Sequence, residues 1–208
     1  MNVTVKSLTV GRWKENSYLL EYNGEAWLVD PGDEFEKLDN HFLSAGTVYK
    51  GIINTHGHFD HIGAVKHFRE KYNIPFYIHS KDKQLVRQAN LYVKLSGGIP
   101  SLEIPAMDHF LDDLPSVDIS DKSIRIHHTP GHTHGSVSFE IDNILITGDI
   151  LFSHSLGGAD RPAGNKSVLK DSINYVLDNF QGYTIYPGHG EAFLLDEMKV
   201  ESFKKMLG

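Results

Sequence analysis

The sequence predicts one domain of mixed α and β structure, compatible with two mixed sheets packed face to face and covered by helices on the outside. Three observations lead there. Hydrophobic patterning gives strands, then a helix, then strand–helix units, then strands and helices again. The two halves are alike in outline, although no repeat is visible in the residues. No Pro/Ser-rich or single-sign linker divides the 208 residues, and that length can bury one sizeable core, so the domain is taken as residues 1–208.

The elements follow in order. Val3 to Val10 alternates in a way that suits a strand, and Gly11-Arg12 turns it. Ser17 to Tyr22 and Ala26 to Asp30 flank Asn23-Gly24, a strong hairpin signal. Residues 34–45 read as a helix with Phe35, Leu38, Phe42 and Leu43 on one side. Tyr49 to Asn54 is a buried strand, residues 62–72 a helix ended by Asn73, and Ile74 to His79 a short strand. Lys81 to Leu95 is helical and stops at Gly97-Gly98. Residues 96–122 read as irregular, and so long a loop either covers a site or is a surface excursion. Ser123 to His128 is a strand. Val137 to Ile141 and Ile144 to Thr147 form a second hairpin around Asp142-Asn143. After a loop, residues 166–180 are an amphipathic helix, Tyr183 to Tyr186 a strand, and Leu194 to Leu207 a closing helix.

The chemistry concentrates in Thr55-His56-Gly57-His58-Phe59-Asp60-His61. Three imidazoles and a carboxylate within seven residues are the ligand types that hold zinc, iron or manganese. In an extended segment His56 and His58 point to the same side. Asp60 and His61 follow at a turn and can face a second point nearby, which suits two adjacent metal ions better than one. His132, Asp149 and His189 each stand where a predicted strand gives way to a Gly-containing turn, a common place for ligands to converge. Together they make five histidines and two aspartates.

The His-x-His-x-Asp-His segment after a short apolar strand resembles the signature of the metallo-β-lactamase-fold hydrolases. Val29-Asp30-Pro31-Gly32, Thr129-Pro130-Gly131-His132, Thr147-Gly148-Asp149 and Pro187-Gly188-His189-Gly190 match in order. The chain is most similar to the short glyoxalase II-like, or hydroxyacylglutathione hydrolase, branch. The resemblance implies an αββα sandwich, an α+β fold of two mixed sheets with helices on both outer faces. It implies that His56, His58 and His132 hold one divalent metal ion, that Asp60, His61 and His189 hold the other, and that Asp149 bridges them. Asp60 and Asp149 are then also the catalytic carboxylates. It further implies that Asp30 holds a ligand imidazole or metal-site backbone in place. His134 has no ligand counterpart in the family and is read as a wall of the site or a support of its ligands. Thr55 and Thr129 are expected to shape the ligand loops, and Gly57, Gly131 and Gly188 to give the backbone room beside the metals. His79 is read as structural, His67 as a helix residue, and His41 and His109 as solvent or loop residues. His127, His128 and His154 are left unassigned.

Two metals of this kind pull the pKa of a shared water from about 15.7 to about neutral, supplying hydroxide without a cysteine or serine nucleophile. The expected activity is hydrolysis of a small thioester such as S-2-hydroxyacylglutathione, with zinc as the expected metal and iron or manganese as substitutes. Two features depart from that branch. The longer glyoxalase II enzymes carry a helical C-terminal region, whereas 18 residues follow Gly190 here; the short branch lacks that region too. The short branch tends to carry Gly-Arg-x-Asp after the bridging aspartate, whereas this chain reads Gly157-Gly158-Ala159-Asp160 with Arg161 displaced. Arg161 either faces a substrate carboxylate or sits on the surface. The alternatives on the same fold are a mononuclear iron persulfide dioxygenase and a lactonase or β-lactamase-type hydrolase; a metal-supported binding module is the non-enzymatic one.

Bulk composition narrows the rest. The net charge of −7 gives no support to nucleic-acid binding. The absence of cysteine removes disulfides and thiolate ligands. The N-terminus lacks the pattern of a secretory signal, and no apolar stretch is long enough for a bilayer, so a cytoplasmic location is expected and no membrane partner. Oligomeric state is left open.

Overall fold

The computed structural model describes residues 2–42, 46–99 and 101–208. Strand β1 (Thr4–Val10) runs antiparallel to β2 (Glu15–Tyr22), which returns as β3 (Glu25–Val29). Asn23 and Gly24 take φ of 49° and 78°, the paired left-handed geometry that a two-residue Asn-Gly hairpin demands. Helix α1 (Phe35–Phe42) leads to β4 (Val48–Ile53), parallel to β3. The one-turn α2 (Phe59–Ile62) and α3 (Val65–Tyr72) lead to β5 (Phe76–Ile78); α4 (Lys83–Arg87) and α5 (Ala89–Leu95) lead to β6 (His109–Phe110). Both strands join the sheet parallel to their neighbours, giving the order β1-β2-β3-β4-β5-β6.

The second sheet is laid down by the other half of the chain. Strands β7 (Ser116–Ile119), β8 (Lys122–His128), β9 (Val137–Ile141) and β10 (Ile144–Gly148) form an antiparallel meander. Helix α6 (Lys166–Asn179), capped by the Asn165 side chain, crosses to β11 (Thr184–Pro187), which lies parallel to β10. Strand β12 (Phe193–Leu194) and helix α7 (Glu197–Leu207), capped by Asp196, complete the order β12-β11-β10-β9-β8-β7.

Side-chain alternation sorts these strands into three apolar layers. Tyr18, Leu20, Trp27, Val29 and Ile53 of the first sheet meet Ile124, Val137, Phe139 and Ile146 of the second. Their sequence neighbours Leu19, Leu28 and Ile52 face the opposite way, against Leu38, Phe42, Val65, Phe68 and Val86 of the helices. On the far side Leu145 and Ile185 pack against Leu169, Ile173, Val176 and Phe203. Strands buried on both faces read as continuous apolar runs, and this is why the central strands were visible in the sequence. The result is the expected helix–sheet–sheet–helix sandwich.

The differences lie at edges and breaks. Leu43, expected on the apolar side of α1, lies outside the described residues. Asp60 and His61, expected at a turn, lie in the single helical turn α2, and Gly63-Ala64 separates that turn from α3. The run from Lys81 to Leu95 is a 3-10 turn at Ser80–Asp82 followed by two helices broken at Gln88. The stretch 96–122 is only partly irregular, since it contains β6 and β7. Those two strands and β12 are short, β6, β7 and β12 lie at sheet edges, and an edge strand does not need the long apolar pattern that betrays a central one. Among the described residues no helix is long and apolar enough to cross a membrane.

Candidate metal centre

The turns after β4, β8, β10 and β11 bring all seven expected residues to one place. The ligand atoms of His56, His58 and His132 lie within 4.8 Å of one another, and so do those of Asp60, His61 and His189. In the first group the rings stand nearly perpendicular, with centroids 4.7 Å apart for His56–His58, 4.8 Å for His56–His132 and 4.7 Å for His58–His132. His58 Nδ1 and His132 Nε2 face each other at 2.9 Å. The two groups adjoin through His56 and His61, whose centroids are 4.1 Å apart. Asp149 lies across the junction, with Oδ1 3.6 Å from His61 Nε2 and Oδ2 3.6 Å from His132 Nε2 and 3.4 Å from His189 Nε2.

For four of the five histidines the hydrogen bonds show which ring nitrogen is offered, and His58 turns its Nδ1 toward His132. His56 Nδ1 meets the Thr55 hydroxyl at 3.0 Å, and His61 Nδ1 meets Asp30 Oδ2 at 3.0 Å. His132 Nδ1 donates to the Gly158 carbonyl at 2.7 Å. His189 Nδ1 is shared between the carbonyls of Trp13 and Lys14 at 3.1 and 3.2 Å. Each of these bonds fixes a ring and turns Nε2 inward, the usual arrangement around a metal-binding imidazole. Among the described residues, six buried side-chain atoms have no hydrogen-bond partner; Glu15 Oε1, Asn54 Oδ1 and His58 Nε2 are three of them, and the other three, His56 Nε2, His61 Nε2 and Asp149 Oδ1, face the junction of the two groups. A buried polar atom left unpaired costs about 1–3 kcal/mol, so three of them aimed at one centre fit a cation better than they fit a core.

Charge follows the same logic. Burial pushes His56 well below the ordinary imidazole range, reinforced by His61, His58 and His132, and burial with His132 and His61 brings His58 down to about 3. Both are therefore neutral, as a ligand must be. Burial also opposes charge on His61 and Asp149. Their mutual attraction outweighs it, with Asp30 adding to the pull on His61 and His189 to that on Asp149, so His61 is raised and Asp149 held well below the carboxylate range; a metal ion held by His61 would take the place of that proton.

Support comes from groups set around these donors. Asp30, fully buried at φ 48°, accepts from the Thr55 amide at 2.7 Å and the Thr55 hydroxyl at 2.5 Å as well as facing His61, so it holds a ligand and the start of the ligand loop together. Thr129 stands against Ser138 at 3.0 Å and shapes the turn before His132. Of the three glycines expected beside the metals, Gly188 alone faces the donors: a Cβ there would lie 2.1 Å from Asp149 Oδ1. The missing side chains of Gly57 and Gly131 instead make room for Asp82 and for the Leu169 backbone of α6. His134 is exposed and lines a separate surface depression with Lys81 and Asn165, so it is neither wall nor support of the centre. His79 is structural, capping the Ser80–Asp82 turn and stacking on His128 at 4.4 Å.

Four buried polar residues around the centre escaped sequence reasoning. The Asn16 side-chain amide donates to the carbonyls of Pro187 and Gly190, at 3.1 and 2.7 Å, and pins the loop of His189. Asn54 donates to the His61 carbonyl at 2.7 Å. Glu15 lies 3.9 Å from His61 Nδ1, with one oxygen bonded to Ser17 and the other unpaired. Asp82 is buried between two ligand loops. The available signal was polarity out of place: Glu15-Asn16 open a strand whose centre, Tyr18-Leu19-Leu20, is apolar, and Asn54 directly follows the apolar end of β4.

A cleft of about 290 Å³ opens onto His58, Asp60, His132, Asp149 and His189. Trp13, Phe59, Tyr92, Leu95 and Pro162 give it apolar walls, and Asp160 and Arg161 stand at its side. Ser96 lines it too, so the start of the 96–122 stretch reaches the site. Trp13 and Phe59, in edge contact at 4.7 Å, divide this cleft from a larger cavity of about 530 Å³ that shares Asp60 as a wall but lacks the histidine donors.

The family model described as the metallo-beta-lactamase superfamily matches residues 10–189. A probable metallo-hydrolase of Bacillus subtilis is 33% identical, over 95% of this chain and 96% of its own. Hydroxyacylglutathione hydrolase GloC of Haemophilus influenzae is 27% identical, over 96% of this chain and 95% of its own. Among solved structures, the B3 metallo-beta-lactamase BLEG-1 superimposes with a TM-score of 0.85 at 33% identity, covering 94% of this chain and 97% of that one. TTHA1623 in a di-iron-bound form gives 0.81 at 32% identity, covering 91% and 94%.

Proposed function

Because this chain belongs to the metallo-beta-lactamase superfamily, we propose that it is a two-metal hydrolase acting on a small thioester such as S-2-hydroxyacylglutathione. The observation that carries the reading is the set of inward donors left unpaired at His56, His61 and Asp149. His56, His58 and His132 would hold one divalent ion, Asp60, His61 and His189 the other, and Asp149 reaches toward both groups. Bound there, the metal ions supply Lewis acidity, which acidifies water and polarises an acyl carbonyl. Zinc, iron and manganese all suit such donors, and the di-iron form of a relative supports iron beside zinc.

The protein's own part is to position and to exclude. Locking Nδ1 of four imidazoles keeps their Nε2 atoms aimed before any ligand arrives, so little ordering remains at the moment of binding. The Trp13, Phe59, Tyr92 and Leu95 side chains present a dry wall to an acyl group. Arg161, exposed at the rim, is placed to attract a substrate carboxylate. The cleft's volume sits at the small end of ligand pockets, which suits a compact acyl group. Similarity to a hydroxyacylglutathione hydrolase supports the thioester. A β-lactam amide is the second reading, favoured by the likeness to BLEG-1.

The test is a panel of lactoylglutathione, other acyl thioesters and a chromogenic cephalosporin, run on protein whose zinc, iron and manganese have been quantified. Thioester turnover that rises with metal content and is abolished by chelation is the expected result. Full metal loading with no thioester hydrolysis would overturn the proposal, and cephalosporin hydrolysis alone would replace it with the second reading.

A further inference from the structure

We propose that Asp82 is a positioning residue that ties the His56–His58 loop to the His132 loop and so sets the spacing of the nitrogens of the first metal site. The inference rests on those three histidines being metal ligands. Asp82 ends the 3-10 turn after β5 and has no exposed surface. It belongs to none of the three groups of candidate ligands, which are the two described above and Asp30 with His56 and His61, and touches their loops instead. Its Oδ2 accepts from the Gly57 amide, between His56 and His58, at 2.8 Å. The same oxygen accepts from the hydroxyl of Thr133, next to His132, at 2.7 Å. Its Oδ1 accepts from the Gly135 amide at 2.8 Å.

The two loops come from different sheets, one following β4 and the other joining β8 to β9, so nothing in either sheet's own ladder fixes the distance between them. The Val137 amide donates to the Thr55 carbonyl at 2.8 Å and joins their outer ends, and the Asp82 carboxylate, bonded to both, joins them at the residues beside His56, His58 and His132. Three donors converge on it and both oxygens are used. An asparagine would keep one accepting oxygen and turn an NH2 group toward a donor, so the bridge needs a carboxylate. The fit is close in shape as well: a Cβ on Gly135 would meet Asp82 Cγ at 2.7 Å, and one on Gly57 would meet Asp82 Cβ at 3.0 Å. A longer glutamate has no room in that gap. The Thr133 hydroxyl is itself held by Ser136 Oγ at 2.8 Å, which also accepts from the Thr133 amide at 3.0 Å, so the clamp extends into the His132 loop.

Cobalt(II) titration of apo-protein tests this, reading stoichiometry and visible ligand-field bands, with circular dichroism and thermal unfolding as checks on the fold. Wild type is expected to bind two equivalents. Asp82→Asn should bind one of them with wild-type affinity and the other about 10- to 100-fold more weakly. Thr133→Val, which keeps both amide bonds, should weaken the same site several-fold and leave the other unchanged; it decides the matter if the Asp82 variant does not fold. Equal affinities for both sites in folded Asp82→Asn, or in Thr133→Val where that variant decides, overturn the inference. Equal weakening of both sites overturns it too, because a merely structural role would not select one. A wild type that binds no cobalt overturns the metal-site reading itself, an outcome distinguishable from the others.

Discussion

Replacing Gly188 by alanine adds one methyl group at the point where the backbone passes Asp149 and His61. That backbone cannot drift away, since the Gly188 amide donates to the Gly148 carbonyl at 2.9 Å and its own carbonyl accepts from the Asn16 amide at 2.7 Å. The new Cβ would lie 2.1 Å from Asp149 Oδ1 and 2.8 Å from His61 Cε1. An ordinary contact between such atoms needs about 1 Å more, so the carboxylate must move by roughly that much. Functional groups of this kind tolerate about 0.5 Å, and a 1 Å misplacement costs about 100-fold in rate, or about 2.7 kcal/mol. Gly188 does not occupy the left-handed region, so alanine brings no backbone penalty and the variant isolates the effect of space. The assay is kcat/KM on the best thioester of the panel, with bound metal counted per chain and the thermal midpoint recorded. Expected are a loss of about 100-fold, less than full metal content and a retained fold. A folded variant with full metal and a rate within about twofold of wild type would show that Asp149 has no positional role.

Asp30→Asn removes the carboxylate that orients His61 and binds Thr55, and metal affinity at the His61 site should fall about 10- to 100-fold by competition with a chromogenic chelator; unchanged affinity would refute its role. Asp149→Ala should abolish turnover while the chain remains folded, and full hydrolysis by that variant would remove Asp149 from its place between the metals. His132→Ala should lose metal and rate together, measured on the same sample by elemental analysis and initial velocity, with circular dichroism unchanged. Burial, with His128 stacked against it, brings His79 down to about 4 from its ordinary 6.5. Its folded pKa thus lies below its unfolded one, the unfolded chain takes up more protons between those values, and its contribution is intact above pH 6.5 and lost progressively toward pH 4. The urea midpoint of His79→Gln should therefore fall less steeply than wild type across that window, and parallel curves would contradict the assignment.

What could be read from the residues alone followed from what physics writes into short segments. Runs such as Leu19-Leu20 in β2 and Ile144-Leu145-Ile146 in β10 are buried on both faces and apolar, so they announce themselves. Asn23-Gly24 declares a turn because few other pairs tolerate its backbone. The cluster from His56 to His61 was legible because a metal needs several donors and four of them are adjacent in sequence. The supports were not, because each acts through a contact with a distant part of the chain. Asp82 lies 25 residues from Gly57 and 53 from Gly135, and Asn16 lies 174 from Gly190. Nothing local marks Asp82 as different from an ordinary surface polar residue, and the place of Asn16 at the head of a buried strand marks it without naming its partner. Gly131 shows the reverse error: placed beside a ligand in sequence, it was read as serving the metals, whereas its freedom serves the packing of α6.

The same architecture separates two tasks that sequence similarity tends to merge. Donors to a metal come from strand-end turns gripped by both sheets, and their geometry is set by buried carboxylates and carbonyls that cannot change without loss of the site. Apart from Phe59, which lies between His58 and Asp60, the walls of the cleft come from elsewhere: Trp13 between β1 and β2, Tyr92 and Leu95 from α5, Arg161 and Pro162 from the loop before α6. Trp13 holds His189 through its backbone carbonyl, which any residue supplies, and the other wall side chains bond no donor, so these side chains can be exchanged while the centre stays intact. A hydroxyacylglutathione hydrolase and a B3 metallo-beta-lactamase can therefore both resemble this chain over nearly its whole length. Membership of the family is carried by the turns, and the choice of substrate by α5 and the two loops facing it. Substitutions at Tyr92, Leu95 and Arg161 are accordingly where specificity should shift with metal content unchanged, whereas substitutions at Asp30 or Asp149 should move both together.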